Sequence, residues 1–443
     1  MKTRHLGSAL IASLYGFAAA AGGAAPTKAT YSAVYYLTPQ TSQPLGITEG
    51  TPGVFYSNSS ALAIFSVTKQ GSATVLASFP DPPNTVESIP IAASNGLFYS
   101  SLTLAQGASY TGQIFSVGAS PGTLTIYPAT SFSFSDLAGT LPNGNFFGIA
   151  YNYSNNSNNL ATVDLSGNVK PIYQFPLTDR PYLVPIYANG NYYGVSQPGG
   201  GTANDYFYQV TPSGSLTKVA TLPFYSTIYV GSGLVLKGTD GNFYGVQSNG
   251  LGCPNTQHGG VYKLTPSGQY TLLHDFGPCG IVTSLIEGSD GKLYGALETS
   301  STLFSLTKSG TYSALFTTTN GGTQGLCPCW LVQGSDGIIY GTASGGGPGG
   351  FGVVFALNAG LPPPKPRALE FTPHSGAVGT QVQIWGYNLL NASVSFNGVT
   401  AAAVTSEGPN YVLATVPTGA ISGPITVTTP GGSSTTKASF TVK

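Results

Sequence analysis

Short apolar runs alternate with glycine-bearing turns along most of this chain. After Gly291 come "KLYGALE", "STLFSLTKSG" and "TYSALFTT"; after Gly241 come "NFYGVQS", "GGVYKLTPSG" and "QYTLLHDF". Each run is strand length, rich in Val, Thr, Tyr and Phe, and closed by Gly, Asn, Asp or Ser. No amphipathic stretch with a 3.6-residue period stands out. The pattern predicts an all-β protein.

The runs fall into repeats, and a landmark marks each. "GTDGNFYG" (Gly238 to Gly245), "GSDGKLYG" (Gly288 to Gly295) and "GSDGIIYG" (Gly334 to Gly341) are close copies; "LPNGNFFG" and "YANGNYYG" centre on Gly144 and Gly190. Weaker copies centre on Gly96 and Gly53, so there are seven, 43 to 51 residues apart. Four short strands in a unit of that length is the propeller-blade pattern. Asn-Gly or Asp-Gly between strands predicts a two-residue hairpin whose residues tolerate positive φ. Asp240, Asp290 and Asp336 are then turn residues, with repeated calcium ligation as the competing reading. The Tyr-Gly pair that follows (Tyr244, Tyr294, Tyr340) is expected to pack blade against blade. The seventh unit lacks a fourth strand before "AGLPPPKP", and "ATYSAVYYLT" (Ala29 to Thr38) supplies a spare one, as a closed ring requires.

Composition narrows the class. Only 7% of the 443 residues are charged, and 15 basic residues balance 15 acidic ones. A nucleic-acid partner calls for a basic footprint that this chain lacks. Lys2 and Arg4 precede an apolar run from Leu6 to Ala21 and small residues to Ala25, a pattern that predicts an export signal over residues 1–25. An N-terminal membrane anchor is the alternative, against which the shortness of the run argues. No later stretch is long and apolar enough to span a bilayer, so the expected location is secreted or at the cell surface.

The repeats resemble the GloVer tandem repeats of secreted bacterial proteins, with their "GSDGxxYG…VFxLTpsG" core. The likeness runs from about Tyr31 to Leu361 and is strongest from Gly190 onward. There is a weaker likeness to the streptogramin lyase propellers, whose chemistry uses a histidine and a metal ion. His258, His274 and His374 stand in no matching repeat context, so that activity is not carried over.

"LPPPKPR" (residues 361–367) reads as a stiff linker. Beyond it, residues 368–443 alternate strands with Pro and Gly turns, as a small β-sandwich does. This stretch resembles the IPT/TIG immunoglobulin-like domain, with Pro373, Gly376, Gly379, Gly386 and Asn388 in its opening motif and Pro417, Gly423 and Gly431 at its later turns. The expected organisation is a signal (1–25), a seven-bladed β-propeller (26–360), the linker and the immunoglobulin-like module.

Candidate chemistry is sparse. There is no H-E-x-x-H and no phosphate loop, and the 15 acids offer no recognisable pair for glycoside chemistry. No cofactor and no catalytic residue is expected. An exported chain permits disulfides. Cys253 lies in a loop after a second strand, and Cys279, Cys327 and Cys329 in loops after fourth strands, which leave a blade on the same face. Cys253–Cys279 is the expected bridge; Cys327 and Cys329 are a strained short-range bridge or a free pair, and metal binding is the competing reading. The loops after the second strands vary most and are rich in Asn, Ser, Gly and Tyr. Asn204, Tyr206, Asn249, Asn255 and His258 are therefore the candidate ligand residues, with tolerant surface loops as the plain alternative. Two functions remain: a non-enzymatic binder of an extracellular glycan, surface protein or envelope component, or a propeller lyase or glycosidase acting on extracellular polysaccharide. Clustered His, Asp, Glu or Arg at the channel mouth would favour the enzyme, and a neutral polar rim the binder.

Overall fold

The computed structural model describes residues 29–44, 46–79, 84–86, 88–106, 109–182, 184–199, 203–224, 234–247, 258–278, 280–318 and 324–443. The N-terminal apolar run, Cys253, Cys279, Asn249 and Asn255 lie outside them. Among the described residues the architecture is β throughout, apart from one 3-10 turn at Pro39–Thr41.

Seven antiparallel sheets follow one another between Thr30 and Asn358, and two more lie beyond Arg367. The sixth sheet shows the plan: Val282–Glu287 innermost, then Leu293–Leu297, Thr302–Leu306 and Tyr312–Thr317, each paired with the next. Its two middle strands are buried along their whole length, while the outermost alternates intermediate and exposed positions. Middle strands with two buried faces need neighbours on both sides. Separate apolar cores fill the space between successive sheets, for example Phe243, Tyr262 and Leu264 of the fifth sheet with Tyr193 and Phe207 of the fourth. The same arrangement joins the seventh sheet to the first, where Tyr340 and Val354 meet Phe55, Phe65 and Val67. The result is a β-propeller.

Closure comes from the start of the chain. Thr30–Tyr36 runs antiparallel to Val353–Asn358 and completes the sheet of Leu326–Gln333, Ile339–Gly345 and Val353–Asn358. Tyr31 anchors this strand. Its ring stacks on Phe316 of the sixth sheet at 4.2 Å and on Phe355 at 5.4 Å, and its hydroxyl donates to the Gln324 carbonyl.

The octapeptide has a structural meaning at every constrained position. In the copy at Gly288, the Gly291 N–H donates to the Gly288 carbonyl (2.8 Å), and the Gly288 N–H donates to the Lys292 carbonyl (2.8 Å). Gly291 has φ of +80°, and Asp290 is not left-handed. These turns are therefore type I turns closed by a left-handed glycine, one residue longer than the expected two-residue hairpin. The two-residue form occurs at Asn189–Gly190, where both residues have positive φ and Ala188 pairs with Asn191. Asn tolerates that region better than Asp does.

The aspartate serves its own turn. One oxygen of Asp240, Asp290 and Asp336 accepts the N–H two residues on (3.2, 3.1 and 3.1 Å), and the other accepts the hydroxyl of Tyr244, Tyr294 and Tyr340 (2.7, 3.0 and 3.0 Å). Burial pushes the Asp240 carboxyl up, but Tyr244, Asn242 and Lys308 outweigh it and hold it down at about 2. Each tyrosine is buried in the core shared with the following sheet. The Ser or Thr before the aspartate reaches that sheet too. Thr239 donates to Glu287, the Ser289 N–H to Gln333 (2.9 Å) and Ser335 to Glu49 (2.6 and 2.9 Å). In each case the acceptor immediately precedes the glycine that opens the next copy, and the last link crosses the seam from the seventh sheet to the first.

The closing glycine makes room for a ring. Gly295 pairs with Phe304 across the sheet, and a Cβ at Gly295 would lie 2.2 Å from the phenyl ring. Gly245 and Tyr262, and Gly341 and Phe355, repeat the arrangement.

The C-terminal sheets form a sandwich. Ala368, Phe371, Val382 and Ile384 of one sheet share a core with Val394, Phe396, Ile425, Val427 and Phe440 of the other.

Two measurements check this account. Gly295→Ala should cost about 3 kcal/mol through overpacking against Phe304. Gly291→Ala, where nothing lies within 4 Å of the new Cβ, should cost about 1 kcal/mol from left-handed strain alone. Equal losses in denaturant titration would overturn the ring-accommodation argument. Tyr31→Ala should lower stability by about 3 kcal/mol. Tyr36→Ala on the same strand, 42% exposed, should cost under about 1 kcal/mol.

Candidate functional site

The strand order gives the propeller two unlike faces. Turns from first to second strand and from third to fourth emerge on one, the hairpin face. Loops from second to third strand and from one sheet to the next emerge on the other, the loop face.

The hairpin face carries the C-terminal module. Ser289 Oγ and Gln333 Nε2 donate to the Pro362 carbonyl (2.6 and 3.1 Å), which seats the linker against the seventh sheet. Farther on, the Tyr387 hydroxyl meets the Tyr187 carbonyl at 3.5 Å, and Asn410 Nδ2 meets Thr140 Oγ1 at 3.4 Å. A cavity of about 250 Å³ remains between the module and the innermost strands, lined by Glu49, Gln333, Ser335, Asn388, Asn410 and Pro430 among others. Glu49 is 5% exposed, and its carboxylate already accepts from Gly53 and Ser335.

The loop face is different in chemistry. Near the axis of the first three sheets, neutral side chains bridge neighbouring strands and sheets. Asn58 Nδ2 donates to the Ser88 carbonyl (2.9 Å), Ser100 Oγ to the same carbonyl (2.6 Å), and Ser101 Oγ to the Phe134 carbonyl (2.8 Å).

At the seam of the second and third sheets three tyrosines meet. Tyr110 stands near the start of Ser109–Val117, Tyr151 near the end of Phe146–Asn152, and Tyr153 opens the turn that leads to Ser157–Val163. Tyr110 stacks on Tyr153 (5.3 Å between centroids, 23° between planes), and Tyr151 meets Tyr153 edge-on (4.9 Å, 71°). The turn is held from within. The Ser154 N–H donates to Asn152 Oδ1 (2.9 Å), Ser157 Oγ to Asn155 Oδ1 (2.6 Å) and the Tyr151 hydroxyl to Asn156 Oδ1 (3.3 Å). Asn156 takes φ of +54°.

Three acids on this face, Asp179, Asp205 and Asp275, are engaged. Asp179 and Asp205 are 5% and 0% exposed; Tyr206 donates to Asp179 (2.6 Å) and Tyr182 to Asp205 (3.2 Å). Burial, then the Asp179 bond, raises the Tyr206 hydroxyl well above the ordinary phenol range. His258 Nδ1 sits 2.7 Å from Asp275 Oδ2, with both side chains substantially exposed. Burial pushes Asp275 up, but His258 and the Gly277 N–H outweigh it and keep it below the usual carboxylate range. His274 stacks on Tyr312 at 4.6 Å. Among the described residues no three His, Cys, Asp or Glu side chains come together as a metal site.

Four sequence-predicted residues need correction. Tyr206 opens the strand Tyr206–Val210 and is 3% exposed, so it is a buried partner of Asp179 and not a loop side chain. His258 likewise opens a strand, His258–Leu264, where its register opposite Pro278 brings Asp275 within reach. Asn204 is exposed in the loop ahead of Tyr206. Cys327 and Cys329, expected in a loop after a fourth strand, lie instead on the strand Leu326–Gln333, because the innermost strand of the seventh sheet begins before them. The tyrosine cluster was missed in the sequence, although "NYSNNSNN" marked its turn, because Tyr110 joins it from another sheet.

Comparison with known proteins supports the repeat and the fold. Residues 180–361 match the Gloeobacter/Verrucomicrobia repeat. No curated protein matches the chain. A streptogramin B lyase structure is similar at TM-score 0.53 and 16% identity, over 75% of this chain and 98% of that one. Virginiamycin B lyase from Staphylococcus aureus gives 0.51 and 16%, over 74% and 98%. The extracellular domain of the putative one component system BT4673 from B. thetaiotaomicron gives 0.50 and 14%, over 80% of this chain and 46% of that one. At these identities the likeness concerns the propeller fold alone. No helix among the described residues is long and apolar enough to cross a membrane.

Tyr206→Phe tests the structural role given to that residue. Loss of its hydroxyl leaves the buried Asp179 short of a donor and should cost about 1–3 kcal/mol in denaturant titration. A fully stable variant would return Tyr206 to the ligand candidates.

Proposed function

We propose that this is an exported, non-enzymatic binding protein, secreted or held at the cell surface. In this reading residues 1–25 are the export signal, and residues 26–360 form a seven-bladed propeller that recognises an extracellular glycan or surface component. Residues 361–367 link it to an accessory immunoglobulin-like module of the IPT/TIG type (368–443). Cys253–Cys279 pins the long loop of the fifth blade in the oxidising exterior, and Cys327 and Cys329 are the second candidate pair.

One observation carries the functional part: the described loop face offers exposed tyrosine and asparagine side chains, while its buried acids are tied to tyrosine hydroxyls. Neutral hydroxylated ligands suit such a surface, since amides and hydroxyls donate and accept without a desolvated charge. Rigid scaffolds with variable loops commonly gain specificity this way. A lyase or glycosidase needs reactive groups free to meet substrate, and Asp179 and Asp205 are closed off by Tyr206 and Tyr182.

A glycan array with the purified chain, run beside a product-release assay on the same polysaccharides, tests the reading. The expected result is binding to neutral glycans, unchanged in 1 M salt, without shortening of the polymer. Chain cleavage would establish the enzyme reading instead. Failure to bind any glycan or envelope fraction would overturn the proposal.

A further inference from the structure

We infer that Tyr110, Tyr151 and Tyr153, with Asn155 and Asn156, form a subsite for a neutral hexopyranosyl residue. The inference rests on the binding reading above and assigns it a place. Tyr110 is 47% exposed, one of few large apolar side chains so open. None of the three tyrosines belongs to the core between the second and third sheets, so packing of that core does not account for them.

The chemistry fits a sugar ring. A phenol plane offers a flat apolar surface to the C–H face of a pyranose, at low entropic cost because the side chain has two torsions. Tyr110 is stacked on Tyr153 through one face, and its exposure leaves the other to solvent. The oxygens of Asn155 and Asn156 are engaged within the turn. Among the described residues no protein group accepts from their Nδ2 atoms, so these exposed amides can donate to ring hydroxyls. From Tyr151 to Asn159 there is no Asp, Glu, Lys, Arg or His, which disfavours anionic ligands.

The site is also preorganised. The Tyr153 N–H donates to the Ser131 carbonyl (2.9 Å), which fixes the turn to the innermost strand of its own sheet. Asn159 Nδ2 donates to the carbonyl and hydroxyl of Ser157 (both 3.0 Å), which holds the far end. Little ordering remains for a ligand to impose.

The test uses the full chain with cellohexaose, maltohexaose and mannohexaose in calorimetric titration. At least one should bind the native protein. Tyr110→Ala and Tyr153→Ala should each weaken it tenfold or more, and Asn156→Ala several-fold. Tyr110→Phe should stay within threefold, because the ring is retained. Tyr36→Ala, an exposed tyrosine on the seventh sheet, should change nothing, and thermal melts of all variants check folding. If a hexaose binds and both alanine variants keep native affinity, the subsite is refuted while the glycan-binding reading stands. If no hexaose binds the native chain but the array shows another glycan, the hexopyranose assignment alone fails. A protein partner at these tyrosines overturns the subsite, and a native chain that binds neither a glycan nor an envelope fraction overturns both.

Discussion

The pairing of Thr30–Tyr36 with Val353–Asn358 is the contact on which the ring depends. Each sheet buries both faces of its middle strands against its neighbours, so no sheet is stable as a terminal one. An open ring would expose an apolar face at each end and an unpaired strand edge at the seventh sheet. The N-terminal strand covers the edge of Val353–Asn358 and gives the seventh sheet the same four strands as the sixth. It also brings the Val34 carbonyl against Gly71 of the first sheet, where a Cβ would lie only 2.5 Å away. Ser335 and Glu49 tie the same seam on the hairpin face.

This closure divides the molecule's labour. On the hairpin face the near-identical turns of the fifth, sixth and seventh sheets each tie their sheet to the next through polar groups, and this face holds the C-terminal module. Variation there would disturb the links between blades. On the loop face the links between sheets, such as Asn58 to Ser88 and Ser101 to Phe134, are made by different residues at each seam, and the described turns differ in length and chemistry. The tyrosine–asparagine cluster lies there, on a turn stiffened by its own side chains and supported by two sheets.

Much of this was legible in the sequence because it is local. The Gly288–Gly295 octapeptide announced a turn and a buried tyrosine, and both are found. The propeller class followed from repeating that unit. What was not legible is what comes from residues distant in sequence. Thr239 meets Glu287, and Gly295 yields space to Phe304, through strand register that the local pattern does not specify. The extra residue in the Asp-Gly turns was missed because Asp-Gly serves two turn types, and only the backbone of the Gly288 carbonyl distinguishes them. Tyr206 was placed in a loop because a strand boundary one residue away is invisible in "ANDYFYQV". The Tyr110–Tyr153 stack brings together residues that share no motif.

The most direct test of the central claim, that the loop face at the second and third sheets holds the ligand while the hairpin face holds the tail, is hydrogen–deuterium exchange with and without a bound neutral oligosaccharide. Slowed exchange across Ser109–Gly112 and Tyr151–Asn158, with no change in Arg367–Val442 or the Gly238–Gly245 turn, is the predicted result. Protection confined to the C-terminal module or to the hairpin turns would contradict it.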